Sequence, residues 1–346
     1  MFTVFVSVFL ALNSYSLLRI ASIFSFEPTL GYYILIVFAS LSFIGATALA
    51  TTFQNSFTNL LYCVVSIWLG MLAIITPILL IEHLLSAILT YDQVLMGSLA
   101  ILLSIFITVY SLYNGHTFKT KDIIIRTDKV SKPYDIVHLS DLHLGPVHKG
   151  RFLQELINKT QSLNPDLVII TGDLIDIPAK LPDDLLEAFN QIDVPIYATS
   201  GNHDRYAGIP VLKGLIDNTK IEFIDGVQAR FEELHLIGIA DTDDKHMVTK
   251  NLPLIDAHNF TILSYHRPIE FEQAAESGVD LMLSGHTHAG QLLSFRPLVR
   301  LEFEHVWGVY THQNSTLHVT SGTGTWGPPM RFGSNNEITR IRIIPK

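Results

Sequence analysis

Cysteine is nearly absent: the 346 residues contain one, Cys63, so neither an internal disulfide nor a cysteine-rich zinc site can form within the chain. Charge is missing from the first third. Between Met1 and Phe118 the only Asp, Glu, Lys and Arg side chains are Arg19, Glu27, Glu82 and Asp92, and the first lysine is Lys119. Charged residues make up 16% of the chain and mean hydropathy is +0.34, so part of it belongs in lipid rather than in an ordinary soluble domain. A basic balance is missing too. The net charge of −9 argues against a broad cationic surface, and no nucleic-acid partner is expected.

What the first third does contain is four apolar runs, near Phe2 to Ile20, Leu30 to Ala50, Asn59 to Ile81 and Val94 to Tyr113. Each approaches the roughly 20 residues that cross a hydrocarbon core of about 30 Å. As buried helices of a soluble domain they would leave almost no polar surface, so residues 1–118 read as a helical transmembrane domain of about four spans. Residues 119–346 form a second domain, as the length suggests. No basic residue precedes the first run, unlike a cleaved secretory signal, so that run is expected to be retained. Lys119, Lys121, Arg126, Lys129 and Lys132 follow the fourth span, whereas the third connection carries Glu82 and Asp92. The positive-inside rule then puts the C-terminal domain in the cytoplasm, with Arg19 in the first connection opposing it.

From about Asp122 the pattern changes to short β-rich runs: Tyr134 to Leu139, Asp166 to Thr171, Val194 to Ser200, Leu234 to Ala240, Phe260 to Tyr265 and Val279 to Ser284. Gly150 to Leu163 carries apolar residues at helical spacing, and Asp183 to Ile192 can form another helix. Strand, helix, strand implies an α/β layer architecture.

Side chains that can hold a metal follow these strands closely. Asp141 and His143 come after the first run, Asp173 after the second, and Asn202 with His203 after the third; His266 ends the fifth, and His286 and His288 follow the sixth. In an open α/β sheet the carboxyl ends of neighbouring strands converge on one crevice, so these residues can meet there. Imidazole and carboxylate together suit manganese, iron or zinc. Seven ligands exceed what one tetrahedral zinc accepts and divide between two divalent cations if a carboxylate is shared. Gly172, Gly201 and Gly285 precede these residues, consistent with tight turns or close backbone approach.

Asp141-Leu142-His143, Gly172-Asp173, Gly201-Asn202-His203-Asp204 and Gly285-His286-Thr287-His288 resemble, in order and spacing, the calcineurin-like metallophosphoesterases over about Ile123 to Ile344. The run Gly285 to Gln291, with Ser321-Gly322-Thr323-Gly324, looks most like the bacterial branch of YkuE and YaeI type phosphodiesterases, which often has glycine where this chain has Ala289. The resemblance implies a four-layer α/β/β/α sandwich after the membrane domain, and a multi-pass protein of a bacterial inner membrane. It also implies one metal on Asp141, His143 and His288, a second on Asn202, His266 and His286, and Asp173 bridging. His203 would be the catalytic acid, protonating the leaving oxygen in metal-assisted phosphoester hydrolysis, with Asp204 beside it to orient the ring or raise its basicity. The membrane location favours a lipid or lipid-linked phosphodiester or pyrophosphate as substrate.

Two other readings stand beside this one: a nuclease, opposed by the acidic balance, and a membrane receptor or transporter with a metal-binding regulatory domain. Asp204 could instead form a turn or pair with Arg205. His138, His148, His235, His246, His258, His305, His312 and His318 lack a comparable motif and read as surface or satisfied core residues. Asp241, Asp243 and Asp244 read as a solvated loop, and Arg331 as a phosphate binder or a surface arginine.

Overall fold

The computed structural model describes residues 2–53, 55–176, 181–182 and 184–346. It opens with four helices, α1 (Phe2–Ile23), α2 (Leu30–Phe53), α3 (Ser56–Ile88) and α4 (Gln93–Gly115), each long and apolar enough to cross a membrane. α3 and α4 begin before their apolar runs because side chains cap their first turns. Asn55 accepts from the backbone of Phe57 and Thr58, with Thr58 bonding back to it, and Asp92 caps α4 through Leu95. At 33 residues α3 is about 50 Å long, well beyond the hydrocarbon thickness, and Pro77 does not end it. Arg19 of α1 meets Glu82 of α3 inside the bundle through two hydrogen bonds of 2.9 Å.

The remainder is an α/β domain. Its elements run β1 (Phe118–Thr127), β2 (Tyr134–Leu139), α5 (Gly150–Ser162), β3 (Leu167–Thr171), β4 (Ile196–Thr199), α6 (Asn202–Ala207), α7 (Ile209–Ile216) and β5 (Ile221–Phe223). Then come β6 (Gln228–Phe231), β7 (Leu234–Ile239), α8 (Met247–Asn251), β8 (Phe260–Tyr265), α9 (Phe271–Glu276), β9 (Leu281–Ser284), α10 (Arg296–Glu302), β10 (Gly308–His312), β11 (Ser315–Val319) and β12 (Asn336–Pro345). The helix expected from Asp183 to Ile192 is a 3-10 turn over Leu185–Gln191; Asp183 itself lies outside the described residues.

The strands form two six-stranded mixed sheets, in the orders β1-β12-β2-β3-β4-β5 and β10-β11-β9-β8-β7-β6. Ile136, Ile169, Leu236, Ile262, Leu283 and Ile341 fill the space between them. Val137, Leu139, Val168 and Ile170, on the other side of the first sheet, pack against Leu153, Leu156 and Ile157 of α5 and Leu212 and Leu215 of α7. Ile237, Leu263 and Met282 of the second sheet pack against Val248 of α8 and Phe271 and Ala274 of α9. The expected α/β/β/α layering is thus present, the inner strands serving two apolar layers.

Strand direction sets where the loops gather. β1 begins just after α4 and pairs in parallel with β12, whose first residue, Asn336, donates to the carbonyl of Gly115 at 2.7 Å. β2 is antiparallel to β12, and β3, β4 and β5 are parallel to β2. The carboxyl ends of β2 to β5 therefore face the membrane helices. On that side Leu292 and Met330 pack with Ala73 and Ile74 of α3, and Ile107, Leu112, Phe295 and Phe332 complete the cluster. The approach is close: a Cβ on Gly70 would lie 2.5 Å from Met330 Sδ.

Candidate metal centre

All seven residues expected as ligands come to one place at the ends of β2, β3, β8 and β9 and the start of α6. His143 Nε2 faces His288 Nε2 at 3.0 Å, and His286 Nδ1 faces His266 Nε2 at 3.2 Å. His266 Nε2 is also 3.2 Å from Asn202 Oδ1 and 3.3 Å from Asp173 Oδ2, while Asp173 Oδ2 lies 3.7 Å from His143 Nε2 and Asp141 Oδ1 lies 3.4 Å from His288 Nε2. Asp173 thus stands between the His143 side and the His266 side. Among the described residues, three overlapping clusters could hold a cation: Asp141, His143 and His288; Asp141, Asp173 and His266; and His143, Asp176 and His203.

The backbone bends out of its ordinary range to bring these groups together. Asp141, His143, Asp173, His286 and His288 all have φ between +46° and +70°. A left-handed residue other than glycine costs about 1–2 kcal/mol, so five in one cluster mark strain held in place by the surrounding sheets. Gly201 makes room for the crowding, since a Cβ there would run into the Asp173 carboxylate. Backbone amides fix the carboxylates: Asp141 accepts from the His286 amide at 3.0 Å, and Asp173 accepts from the His203 amide at 2.8 Å. His266 Nδ1 lies 2.7 Å from the Thr171 carbonyl, to which it donates, and that bond aims Nε2 into the cluster.

The electrostatics leave imidazole lone pairs free on one side of the cluster and favour positive charge beside the carboxylates. Burial, reinforced by the charge of His266, holds His286 well below the usual histidine range, and burial with His143 does the same to His288. Both rings are therefore neutral with lone pairs available. Burial opposes charge on His266 as well, yet Asp173 and Asp141 lift it to about 10, a proton standing where positive charge is demanded. Buried nitrogen and oxygen donors without a thiolate fit manganese, iron or zinc, and Cys63 lies on α3. The donor set, with overlapping His/Asp clusters, fits two divalent cations.

His203 borders the cluster, its ring 4.7 Å edge-on from that of His143. The carboxylate at its ring is that of Asp176, 2.9 Å from Nδ1, and not that of Asp204. Asp204 is turned away, accepting from the backbone of Ile175 at 3.0 Å and Gly201 at 2.9 Å, where it ties the start of α6 to the end of β3. An acidic side chain in the first turn of a helix satisfies such amides more cheaply than it reaches a neighbouring ring. Arg205 pairs with Asp243 at 2.5 Å instead of with Asp204. Burial disfavours the charged form of His203, but the bond to Asp176 and the charge of Asp173 outweigh it and raise the ring's pKa.

Sequence reasoning passed over Asp176, although Asp173-Leu174-Ile175-Asp176 was a signal: beyond a strand end, residues three apart can return to one side. It also passed over Trp326, whose half-exposed ring lies 5.9 Å from His203 and whose backbone is held by both ends of the Gln291 amide. Arg331 is neither a phosphate binder nor a surface residue. It is fully buried, donating to the carbonyls of His288 at 2.9 Å, Gly322 at 3.2 Å and Gly324 at 2.5 Å and to Asn336 Oδ1 at 2.9 Å. Its own amide donates to Ser111 of α4 at 2.8 Å.

The other histidines divide as their lack of motif suggested. His138 bonds His318 and Thr171 in the core, His148 bonds Thr325, and His246, His258 and His312 are not buried. Asp241 is buried and pairs with Arg267, while Asp243 and Asp244 pair with Arg205 and Lys250, so this acidic stretch is an ion-pair network.

The calcineurin-like phosphoesterase family matches residues 134–290. A Campylobacter jejuni metallophosphoesterase is 34% identical over 258 residues, covering 71% of this chain and 69% of its own length. A Helicobacter pylori metallophosphoesterase is 31% identical over 238 residues (66% and 64%), and a Danio rerio transmembrane protein with a metallophosphoesterase domain is 32% identical over 268 residues (70% and 61%). The chain thus spans less than two thirds of the Helicobacter and Danio relatives. Together the matched region and the Campylobacter relative show that the chain belongs to the calcineurin-like phosphoesterase family.

Proposed function

We propose that this chain is a membrane-anchored phosphoesterase that hydrolyses phosphoester bonds with two divalent cations. The observation that carries the reading is the set of imidazole nitrogens and carboxylates facing one another around Asp173 with His203 alongside. One cation is assigned to Asp141, His143 and His288 and the other to Asn202, His266 and His286, with Asp173 shared. When bound, the pair would supply Lewis-acid stabilisation of charge on the phosphoryl oxygens and a nucleophile at neutral pH. His203 is assigned as the acid that protonates the leaving oxygen, with Asp176 holding its ring through Nδ1 so that Nε2 carries the transferable proton. Asn202 supplies a neutral oxygen, which limits the negative charge of the donor set.

The chain is read as a helical membrane unit, residues 1–118, joined to a catalytic unit, residues 119–346, on the cytoplasmic side of a bacterial inner membrane. The lysines and arginines after α4 support that orientation, with Arg19 at the end of α1 the single basic residue on the other side. The finer likeness to the YkuE and YaeI branch rests on the residues from Gly285 to Gln291 and Ser321 to Gly324. A lipid or lipid-linked phosphodiester or pyrophosphate is the proposed substrate class, because the cluster sits at the strand ends that face α3 and α4.

The test is turnover by the full chain in nanodiscs, reconstituted with manganese, on a soluble aryl phosphodiester and on a lipid pyrophosphate. Cleavage of both, with the lipid preferred, is expected. Cleavage of the soluble ester alone would remove the lipid assignment, and cleavage of neither would remove the enzymatic one.

A further inference from the structure

Two segments, the one leading away from His288 and the one around Phe332 that bridges to it at Leu292, reach the level of the membrane helices. Phe332 packs edge-on against Tyr110 of α4 at 6.5 Å, and Phe295 shares one cluster with Ile107 and Leu112. Ile107 lies about 12 Å inside the end of α4 at Gly115 by helix rise, within the apolar run that continues to Tyr113. Phe295 immediately precedes α10, so this helix starts beside a segment read as crossing the bilayer. Exposed Tyr110 and Tyr113 mark the same depth as an aromatic belt.

At 3.6 residues per turn, Pro297, Leu298 and Leu301 share one side of α10, bordered by Arg300 and Glu302. Arg296 points the other way, donating to the Ala289 carbonyl at 3.1 Å and to Gly333. Leu298 and Leu301 are 62% and 85% exposed, and Leu293 just before them is 47% exposed. In water this continuous apolar side would be costly. Leu292 and Phe295, which precede it in the chain, belong to the cluster that joins this segment to α3 and α4, which sets α10 beside the helices read as spanning the bilayer.

We propose that α10 is a second membrane contact, lying in the headgroup layer with Leu298 and Leu301 at the acyl-chain boundary and Arg300 and Glu302 at headgroup depth. A short in-plane helix with a polar border is the form such contacts take. The contact fixes the face of the α/β domain that carries the metal centre against the lipid. His288 is only eight residues before Arg296, and Trp326 is tied to the same loop through Gln291.

The experiment uses the full chain in nanodiscs, with Cys63→Ala as background and a fluorophore placed by Leu301→Cys. Ala257→Cys serves as the comparison, an exposed residue before β8 at the opposite end of its sheet from His266. Lipids carrying a nitroxide near the headgroup should quench the label at 301 several-fold more than the label at 257, and aqueous iodide should do the reverse. Equal lipid quenching at the two positions, with free iodide access at 301, overturns the proposal. Leu298→Cys provides a second position should labelling at 301 disturb folding. The readout needs neither metal nor turnover, so its failure is distinct from failure of the phosphoesterase reading.

Discussion

Five of the seven side chains at the candidate centre sit on left-handed backbone, and so does Ala289, with φ of +54°. At the ligand positions the strain aims a side chain. At Ala289 it aims nothing, because the methyl group faces the interior between His288 and Gly290. Relief of the Cβ penalty, offset in part by the freer unfolded chain, should make Ala289→Gly about 0.5–1 kcal/mol more stable in chemical denaturation of the detergent-solubilised protein. A loss of stability would mean that the methyl's contacts outweigh the backbone cost. The raised pKa of His203 has a directional consequence for activity. An acid with a raised pKa stays protonated further into the alkaline range, so the alkaline limb of kcat/KM is set by that group. Removing the Asp176 charge lowers the pKa, and Asp176→Asn should move the limb to lower pH. An unmoved limb in a stopped-assay pH series would show that Asp176 does not govern the proton. The candidate ligands were legible as residues because each followed an apolar run closely. Asp176 was not, because its side of the loop depends on the turn at Gly172 to Leu174.

Among the elements, β2 and β8 have the ends that their apolar runs suggest, while β3, β4, β7 and β9 lose one to three residues at one or both ends. All six are fully or nearly fully buried, and a strand packed on both faces reads as a continuous apolar run. β1, β6 and β10 lie at or near sheet edges with alternating exposure, and their polar residues hide them. β12 also escaped, although it is central, because Arg340 and Arg342 interrupt its isoleucines; they pair with Asp122 and Asp135 across the strands. Arg331 joins elements that the sequence keeps far apart. Its guanidinium binds the His288 carbonyl and its amide binds Ser111 of α4, while Asn114 donates to its carbonyl at 3.2 Å. Arg331→Ala would leave several buried carbonyls without donors, at about 1–3 kcal/mol each. A melting temperature lowered by many degrees and faster loss of metal on dialysis are expected. Arg331→Lys should recover little, since an ammonium cannot reproduce the planar fork. A variant that melts and retains metal like the parent would remove this link.

For the whole molecule, composition alone separated an apolar third from an α/β remainder, because a bilayer and water impose different demands on the same chain. The way the two halves meet was not legible. It rests on Met330 against Gly70, Phe332 against Tyr110 and the Gly115 backbone against Pro329, contacts between residues more than 200 positions apart with no local pattern. That junction turns the metal centre toward the membrane helices and gives the lipid-substrate proposal its physical basis. The measurement that bears most directly on the two-metal reading is metal content and phosphodiester turnover, determined on the same nanodisc samples of the parent chain, Asp173→Asn and His203→Ala. The expected result is about two metals and turnover for the parent, loss of both for Asp173→Asn, and retained metal with turnover lowered about 100-fold or more for His203→Ala. Parent-like metal content and turnover in both variants would contradict the assignment of this cluster as the catalytic centre.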